Sequence, residues 1–263
     1  MRAGSVDRWP EDYERGRPGW PPEVVDVASL PPSASVLELG AGTGKLTRLL
    51  VRAFGRVVAV EPADAMRRVL GALCPDAELL AGTAQQIPLA DASVDAVFAA
   101  EAFHRFDDAR AVAEIVRVLR PRGALVLMWN LPAGPWKPPI ADVEQLLHER
   151  GPKPGEVTYE PLDLDGPNYT SGGWRLALAD SPFEPLRETC LPNPRTLDRD
   201  GLVAFFRVHG LARRGSRRRA PAPPRRGAVA PARRRVPADV GNARPLDAPR
   251  VRRARLGILS RHQ

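Results

Sequence analysis

A chain of 263 residues with 43% apolar content is long enough for one α/β domain with appendages and holds enough apolar side chains for a real core. It has no run of about 18 apolar residues to span a membrane, no apolar leader follows Met1, and two cysteines (Cys74 and Cys190) with four scattered histidines make neither a disulfide framework nor a metal site, so a reducing, cytoplasmic setting is the expectation. The net charge of +8 is divided unevenly: residues 211–263 carry 16 arginines against two acids, a charge of +14, which leaves −6 for residues 1–210.

In chain order, residues 1–20 form a polar arm with Trp9, Tyr13 and Trp20 set among charges. Pro21 and Pro22 open a helix, as proline can in a first turn. Val24, Val27 and Ala28 supply its apolar side, and Pro31-Pro32 ends it. Residues 36–39 fit a short buried parallel strand. Gly40, Gly42 and Gly44 follow at alternating positions, then Leu46, Leu49 and Leu50 at helical spacing. Strand, glycine turn and helix together open a doubly wound nucleotide-binding sheet.

The departures narrow the ligand. The dinucleotide fingerprint needs glycine at position 45, which is Lys45. The phosphate loop fails as well, because Gly40 is one residue too close to Gly44-Lys45 and Leu46 stands where a hydroxyl is required. Glu38 at the strand tip repels a pyrophosphate and suits an ammonium or sulfonium group. Residues 56–61 form a second strand ending in Glu61, 21 positions after Gly40. An acid about 20 residues on is what a ribose hydroxyl pair needs.

Further elements follow the same alternation. Asp64 to about Leu73 reads as a helix with Met66, Val69 and Leu70 on one side, and residues 77–81 as a weak strand. Residues 93–100 form the fourth strand and run into Glu101–Phe106, the position at which loops bind ligands in such sheets. Residues 107–119 form a helix with Asp107 and Asp108 at its N-terminus, ended by Pro121-Arg122-Gly123, and residues 124–129 form the fifth strand. Beyond Leu131 come a proline loop, a short amphipathic helix at 140–150, a turn-rich stretch to about Trp174, a sixth strand at 185–191 and a capped helix at 196–206. The expected fold is α/β, a doubly wound, Rossmann-like, mostly parallel sheet with helices on both faces. No final antiparallel strand can be picked out. Residues 212–255 alternate arginine clusters with Ala, Pro and Gly, and such a segment reads as a disordered tail.

Glu38, Gly40, Gly42 and Gly44 form an E-x-G-x-G-x-G pattern that resembles the first motif of the class I S-adenosylmethionine-dependent methyltransferases, of the small-molecule, type 11-like kind. The resemblance extends patchily from about Asp12 to Asn130, and more weakly to His209. Tyr13, Arg17 and Pro18 match a Y-x-x-x-R-P segment, and residues 82–89 resemble G-D-A-x-x-L-P-F with Thr83 in place of Asp. Residues 102–106 resemble A-F-H-W-F with Arg105 in place of Trp. The resemblance implies S-adenosylmethionine as cofactor. Gly40, Ala41, Gly42 and Gly44 would line its methionine part, and Glu38 would serve the loop and the amine end. Glu61 with Pro62 would take the ribose, Met66, Thr83 and Ala84 would enclose adenine, and Glu101 would adjoin the cofactor. Tyr13, Arg17, Phe103 and His104 would form the substrate mouth, with His104 as the candidate base.

This divides the chain into an arm or lid (1–20), a cofactor-binding core (21–130), a substrate cover with the remaining sheet elements (131–210) and the basic tail (211–263). The expected activity is methyl transfer to a small-molecule acceptor, with no membrane or metal. The alternatives are a catalytically degenerate S-adenosylmethionine-binding protein, or a nucleic-acid-binding protein acting through the tail. Against nucleic acid stand the absence of an N-P-P-[YFW]-like segment after the fourth strand and of aromatics in the tail to stack bases. The abrupt change of composition near Leu211 is also what a GC-rich gene read in a shifted frame produces, so the tail is expected to be foreign to the fold.

Overall fold

The computed structural model describes residues 10–106, 108–132, 173–208 and 252–260. Its strands are β1 (Ser35–Leu39), β2 (Arg56–Val60), β3 (Glu78–Leu80), β4 (Val94–Ala100), β5 (Leu119–Pro132), β6 (Arg187–Asn193) and β7 (Arg252–Ser260). They form one sheet in the order β3-β2-β1-β4-β5-β7-β6. The first five in that order run parallel, and β7 lies antiparallel between β5 and β6. The helices are α1 (Pro10–Gly16), α2 (Thr47–Ala53), α3 (Asp64–Leu73), α4 (Ala109–Val118) and α5 (Arg199–Val208), with 3₁₀ segments at Pro22–Ala28, Phe103–Arg105 and Gly173–Leu178. No helix among the described residues is long and apolar enough to cross a membrane.

Successive strand residues point to opposite faces, and this sheet is covered on both. Leu37, Leu39, Val97, Leu125 and Leu127 pack with Val112, Ile115 and Val118 of α4. Val36, Val57, Phe98, Val126 and Met128 pack on the other side with Leu46, Leu50 and Val24. That is why these strands read as continuous apolar runs. Helix α4 begins where Asp108 accepts the Ala111 N–H at 2.8 Å; Asp107 lies outside the described residues.

Two expectations need correction. Strand β5 begins at Leu119 instead of after Gly123: Leu119 pairs with Val94, the register shifts between Val94 and Ala96, and Arg122 takes a left-handed φ of 64°. Pro121-Arg122-Gly123 is therefore an irregular start to the strand. The final antiparallel strand also exists. It is β7, inside the basic tail, pairing Leu256 with Met128 of β5 and with Thr189 of β6. The alternation Ala254, Leu256, Ile258 is short and set among arginines, so composition hid it. The expected helix at 140–150 falls outside the described residues, as does the expected disordered stretch 212–255 up to residue 251; its last four residues, 252–255, belong instead to β7.

Candidate functional site

The site lies at the carboxyl ends of β1 and β4, where the strand order reverses and open α/β sheets bind ligands. The chain leaves β1 through Gly40, Gly42 and Gly44, all at positive φ (69°, 60° and 89°). At Gly40 a Cβ would stand 2.8 Å from the Ala102 Cβ, so the loop runs against the segment after β4 at a distance only glycine permits. Glu61, just beyond β2, holds the loop from the other side. Its Oε2 accepts the Gly42 N–H and its Oε1 the Ala63 N–H, both at 2.9 Å. Pro62 offers its carbonyl to Arg67 at 2.8 Å.

Glu38 is the least expected of these groups physically. Its side chain sits beneath the loop at 2% exposure, and Oε2 accepts the Thr47 hydroxyl at 2.6 Å. Burial pushes its carboxyl up to about 8; the Thr47 hydrogen bond opposes the shift and the Glu61 charge adds to it. Glu38 therefore holds a proton at neutral pH, and a cation placed beside it would favour the ionised form.

The arm closes the site from above. The Tyr13 ring lies 3.6 Å from where a Gly42 Cβ would be. Glu14 ties α1 to the loop: its carboxylate accepts from the Thr43 hydroxyl at 2.6 Å and from Arg48 at 2.8 Å, and its carbonyl accepts from Lys45 Nζ at 2.6 Å. On its other side α1 packs on α5 so tightly that a Cβ at Gly16 would stand 2.4 Å from the Ala204 carbonyl carbon. Arg195 donates to the Gly16 carbonyl at 2.7 Å and to that of Arg15. Asn193 donates to the Gly19 carbonyl at 2.9 Å and to Asn130 Oδ1 at 2.6 Å. Under the arm a cavity of about 20 Å³ remains, lined by Tyr13, Arg17, Glu38, Gly40, Ala41 and Glu101 among others. That is room for about one water molecule.

The segment after β4 supplies the mouth. Glu101 takes a φ of 52°, its Oε1 accepts the Asn130 N–H at 2.7 Å, and its Oε2 lies 4.0 Å from Arg17 Nη1. In the 3₁₀ turn that follows, residues three apart share a side. Phe103 and Phe106 are both buried there, and Phe103 meets Phe106 and Trp174 edge-on at 5.6 and 6.5 Å. Phe103, expected at the substrate mouth, is thus packed in the main core. His104 and Arg105 are left on the outer side. His104 is half-buried, and its Nδ1 has no hydrogen-bond partner among the described residues. Burial first, then the Arg105 and Arg17 charges, lower the imidazole to about 4, so it is neutral at physiological pH. Burial foremost raises the Tyr13 phenol, with Arg17 opposing.

The expected adenine residues stand apart from the cavity lining. Met66 packs with Val208 of α5 and touches Tyr13 and Ala63. Ala84 belongs to the main core, and Thr83 pairs with Gln86 through an isolated bridge. Sequence reasoning missed Glu14, Thr47, Asn130 and Asn193. Glu14 had a signal, an acid in the arm able to meet Lys45 and Arg48; Asn193 had none.

A glycine loop at a strand-order reversal, with a carboxylate at the tip of β2 and a buried carboxyl at the tip of β1, defines a Rossmann-like protein of the methyltransferase class. Residues 37–127 match the family described as methyltransferase domain. An uncharacterized methyltransferase of Mycobacterium tuberculosis (strain ATCC 25618 / H37Rv) is 54% identical over 118 residues, 45% of this chain and 49% of that protein. An uncharacterized methyltransferase-like protein of Schizosaccharomyces pombe is 34% identical over 193 residues, 71% of this chain and 70% of its own length. In fold, the crystal structure of the YcgJ protein of Bacillus subtilis matches with a TM-score of 0.51 at 16% identity, over 91% of this chain and 97% of that one. The chain belongs to the class I S-adenosylmethionine-dependent methyltransferase family. It spans about half the length, 49%, of the mycobacterial relatives it matches.

Proposed function

We propose that this protein transfers a methyl group from S-adenosylmethionine to a small-molecule acceptor. Glu38, Gly40, Ala41, Gly42 and Gly44 hold the methionine part, with Glu101 adjoining. Glu61 and Pro62 take the ribose, and Met66, Thr83 and Ala84 enclose adenine. The observation that carries this reading is Glu38: a carboxyl 2% exposed beneath the glycine loop and pushed up to about 8 gains charge when a cation is placed beside it, and so favours a cationic ligand. When bound, S-adenosylmethionine supplies an electrophilic methyl on a sulfonium that leaves as a neutral thioether, so neither a metal nor protonation of the leaving group is needed.

The chain's own residues do the rest. The arm opens to admit the ligand, because a cavity of about 20 Å³ is too small for it, and then recloses through Glu14 to exclude water. The Glu101–Arg105 segment and Tyr13 hold the acceptor in line with the methyl. His104, neutral at physiological pH, takes a proton from acceptors that release one. To test the acceptor class, a fractionated cell extract is incubated with the protein and methyl-labelled S-adenosylmethionine. Label in the dialysable fraction supports the reading; label confined to protein or nucleic acid overturns it.

A further inference from the structure

The loop between β3 and β4, residues 81–93, is held in place by a helix it does not belong to. Its backbone has only turns and an isolated bridge between Thr83 and Gln86. Two side chains on one face of α4 tie it down. Glu114 Oε2 accepts the Ile87 N–H at 2.9 Å. Arg117 Nη2 donates to the Ile87 carbonyl at 3.0 Å, and Nη1 donates to the Leu89 carbonyl at 2.7 Å and to Asp91 at 2.8 Å. The pair also hold each other, Arg117 donating to the two Glu114 oxygens at 2.7 and 2.8 Å. The Arg117 hydrogen bond keeps the Glu114 carboxyl below its ordinary range, so both groups are charged at neutral pH and their contacts are charge-assisted. Gln85 adds a tie of 2.7 Å to Asp108, the N-cap of α4. Underneath, Ala84 and Ile87 are buried in the main core, and a Cβ at Gly82 would stand 2.8 Å from Pro88 Cδ, so the loop folds tightly on its own start.

This loop begins beside the acid assigned to the ribose. Val60 pairs with Leu80, and the Glu61 N–H donates to the Leu80 carbonyl at 3.2 Å. A base carried by a ribose at Glu61 is therefore within reach of the residues that follow β3. Resting on the methyltransferase reading, in which Thr83 and Ala84 enclose adenine, we propose that Glu114 and Arg117 are positioning residues for the cofactor: they hold the loop after β3 in a fixed shape that selects adenine from other purines. Both act through the loop and not on the base itself. Adenine presents a ring nitrogen that accepts and an amino group that donates; hypoxanthine reverses the two. A backbone held rigid leaves polar groups unpaired against the wrong base and rejects it, whereas a slack loop adjusts and takes both. Thr83 offers a neutral hydroxyl and no charge to fix the base, so discrimination falls to the loop backbone and to the clamp behind it.

The test is calorimetry on the full chain with S-adenosylhomocysteine and with S-inosylhomocysteine, its deaminated counterpart. The parent is expected to prefer the adenine ligand by about tenfold or more. Arg117→Gln is expected to weaken S-adenosylhomocysteine binding and to cut that preference to about threefold or less. Arg120→Gln is the control: it breaks a 2.8 Å pair with Asp95 of β4, just beyond the end of α4, and leaves the clamp intact, so its preference should match the parent's. Should Arg117→Gln fail to fold, Arg117→Lys carries the same test, because an ammonium retains the charge but cannot span the Ile87 and Leu89 carbonyls and Glu114 together. A folded Arg117 variant with the parent's preference would reduce the clamp to a structural tie, and an equal loss in Arg120→Gln would trace the effect to general stability. Either result overturns the proposal, as does a parent that binds both ligands alike. Failure of the parent to bind S-adenosylhomocysteine would instead overturn the methyltransferase reading beneath it.

Discussion

Replacing Glu38 by Gln tests the buried carboxyl at the heart of the site. The folded group titrates at about 8 against an ordinary 4.5, a gap worth about 1.4 kcal/mol per unit and so at most about 5 kcal/mol. Below pH 4.5 the group is protonated in both the folded and the unfolded chain, and its contribution to stability is fully present. Between 4.5 and 8 the unfolded chain sheds the proton while the folded one keeps it, so stability falls as pH rises. Above 8 both are ionised and the loss is complete. Glu38→Gln cannot ionise, so urea unfolding from pH 5 to pH 9 should show the variant gaining on the parent by several kcal/mol across that window. A difference that stays constant with pH would refute the argument. The substitution should also weaken S-adenosylmethionine binding, because a neutral amide cannot pair with its ammonium. Calorimetry at pH 6.5 in two buffers of different ionisation heat should find about one proton released on binding by the parent and none by the variant.

Other changes probe the arm. Glu14→Ala removes the contacts to Thr43 and Arg48 that hold α1 on the loop. At about 1–3 kcal/mol for such charged hydrogen bonds, stopped-flow dissociation of S-adenosylhomocysteine should speed up about tenfold or more; an unchanged rate would mean the arm does not gate the site. Gly16→Ala places a Cβ against the α5 backbone, where a contact of 2.4 Å to Ala204 leaves no room. Overpacking of this kind costs about 1–3 kcal/mol, and limited proteolysis should cut the arm faster while the sheet stays resistant. Gly40→Ala meets both a φ of 69° and the Ala102 Cβ at 2.8 Å, so it should lower both stability and ligand affinity; a variant with parental affinity would mean the loop is less constrained than its geometry indicates.

What the sequence displayed was local. Gly40, Gly42 and Gly44 announce themselves because positive φ has few other solutions, and Glu61 because β2 carries it to the tip beside β1. The parallel strands were legible because both faces are buried, which leaves an unbroken run of Val, Leu and Ala. Strand β7 was not, since it is reached through a long arginine-rich segment and carries little apolar alternation of its own. The resemblance of residues 102–106 to a family segment put Phe103 beside His104, but only the assembled 3₁₀ turn shows that Phe103 packs in the core while His104 stays half-buried. The closure of α1 depends on Asn193 and Arg195, more than 170 residues away from the carbonyls they bind, and no local pattern encodes such a contact. The charge state of Glu38 likewise depends on burial under Thr47 and the loop, which only the assembled fold provides.

The central claim is that the glycine loop between β1 and α2 binds S-adenosylmethionine and not a dinucleotide, and titration calorimetry with S-adenosylhomocysteine and with NAD tests it most directly. The account predicts saturable binding of S-adenosylhomocysteine, none of NAD, and a loss of about 1–3 kcal/mol for Glu61→Ala, which removes a charged hydrogen-bond partner. Tight binding of NAD with no binding of S-adenosylhomocysteine would contradict it.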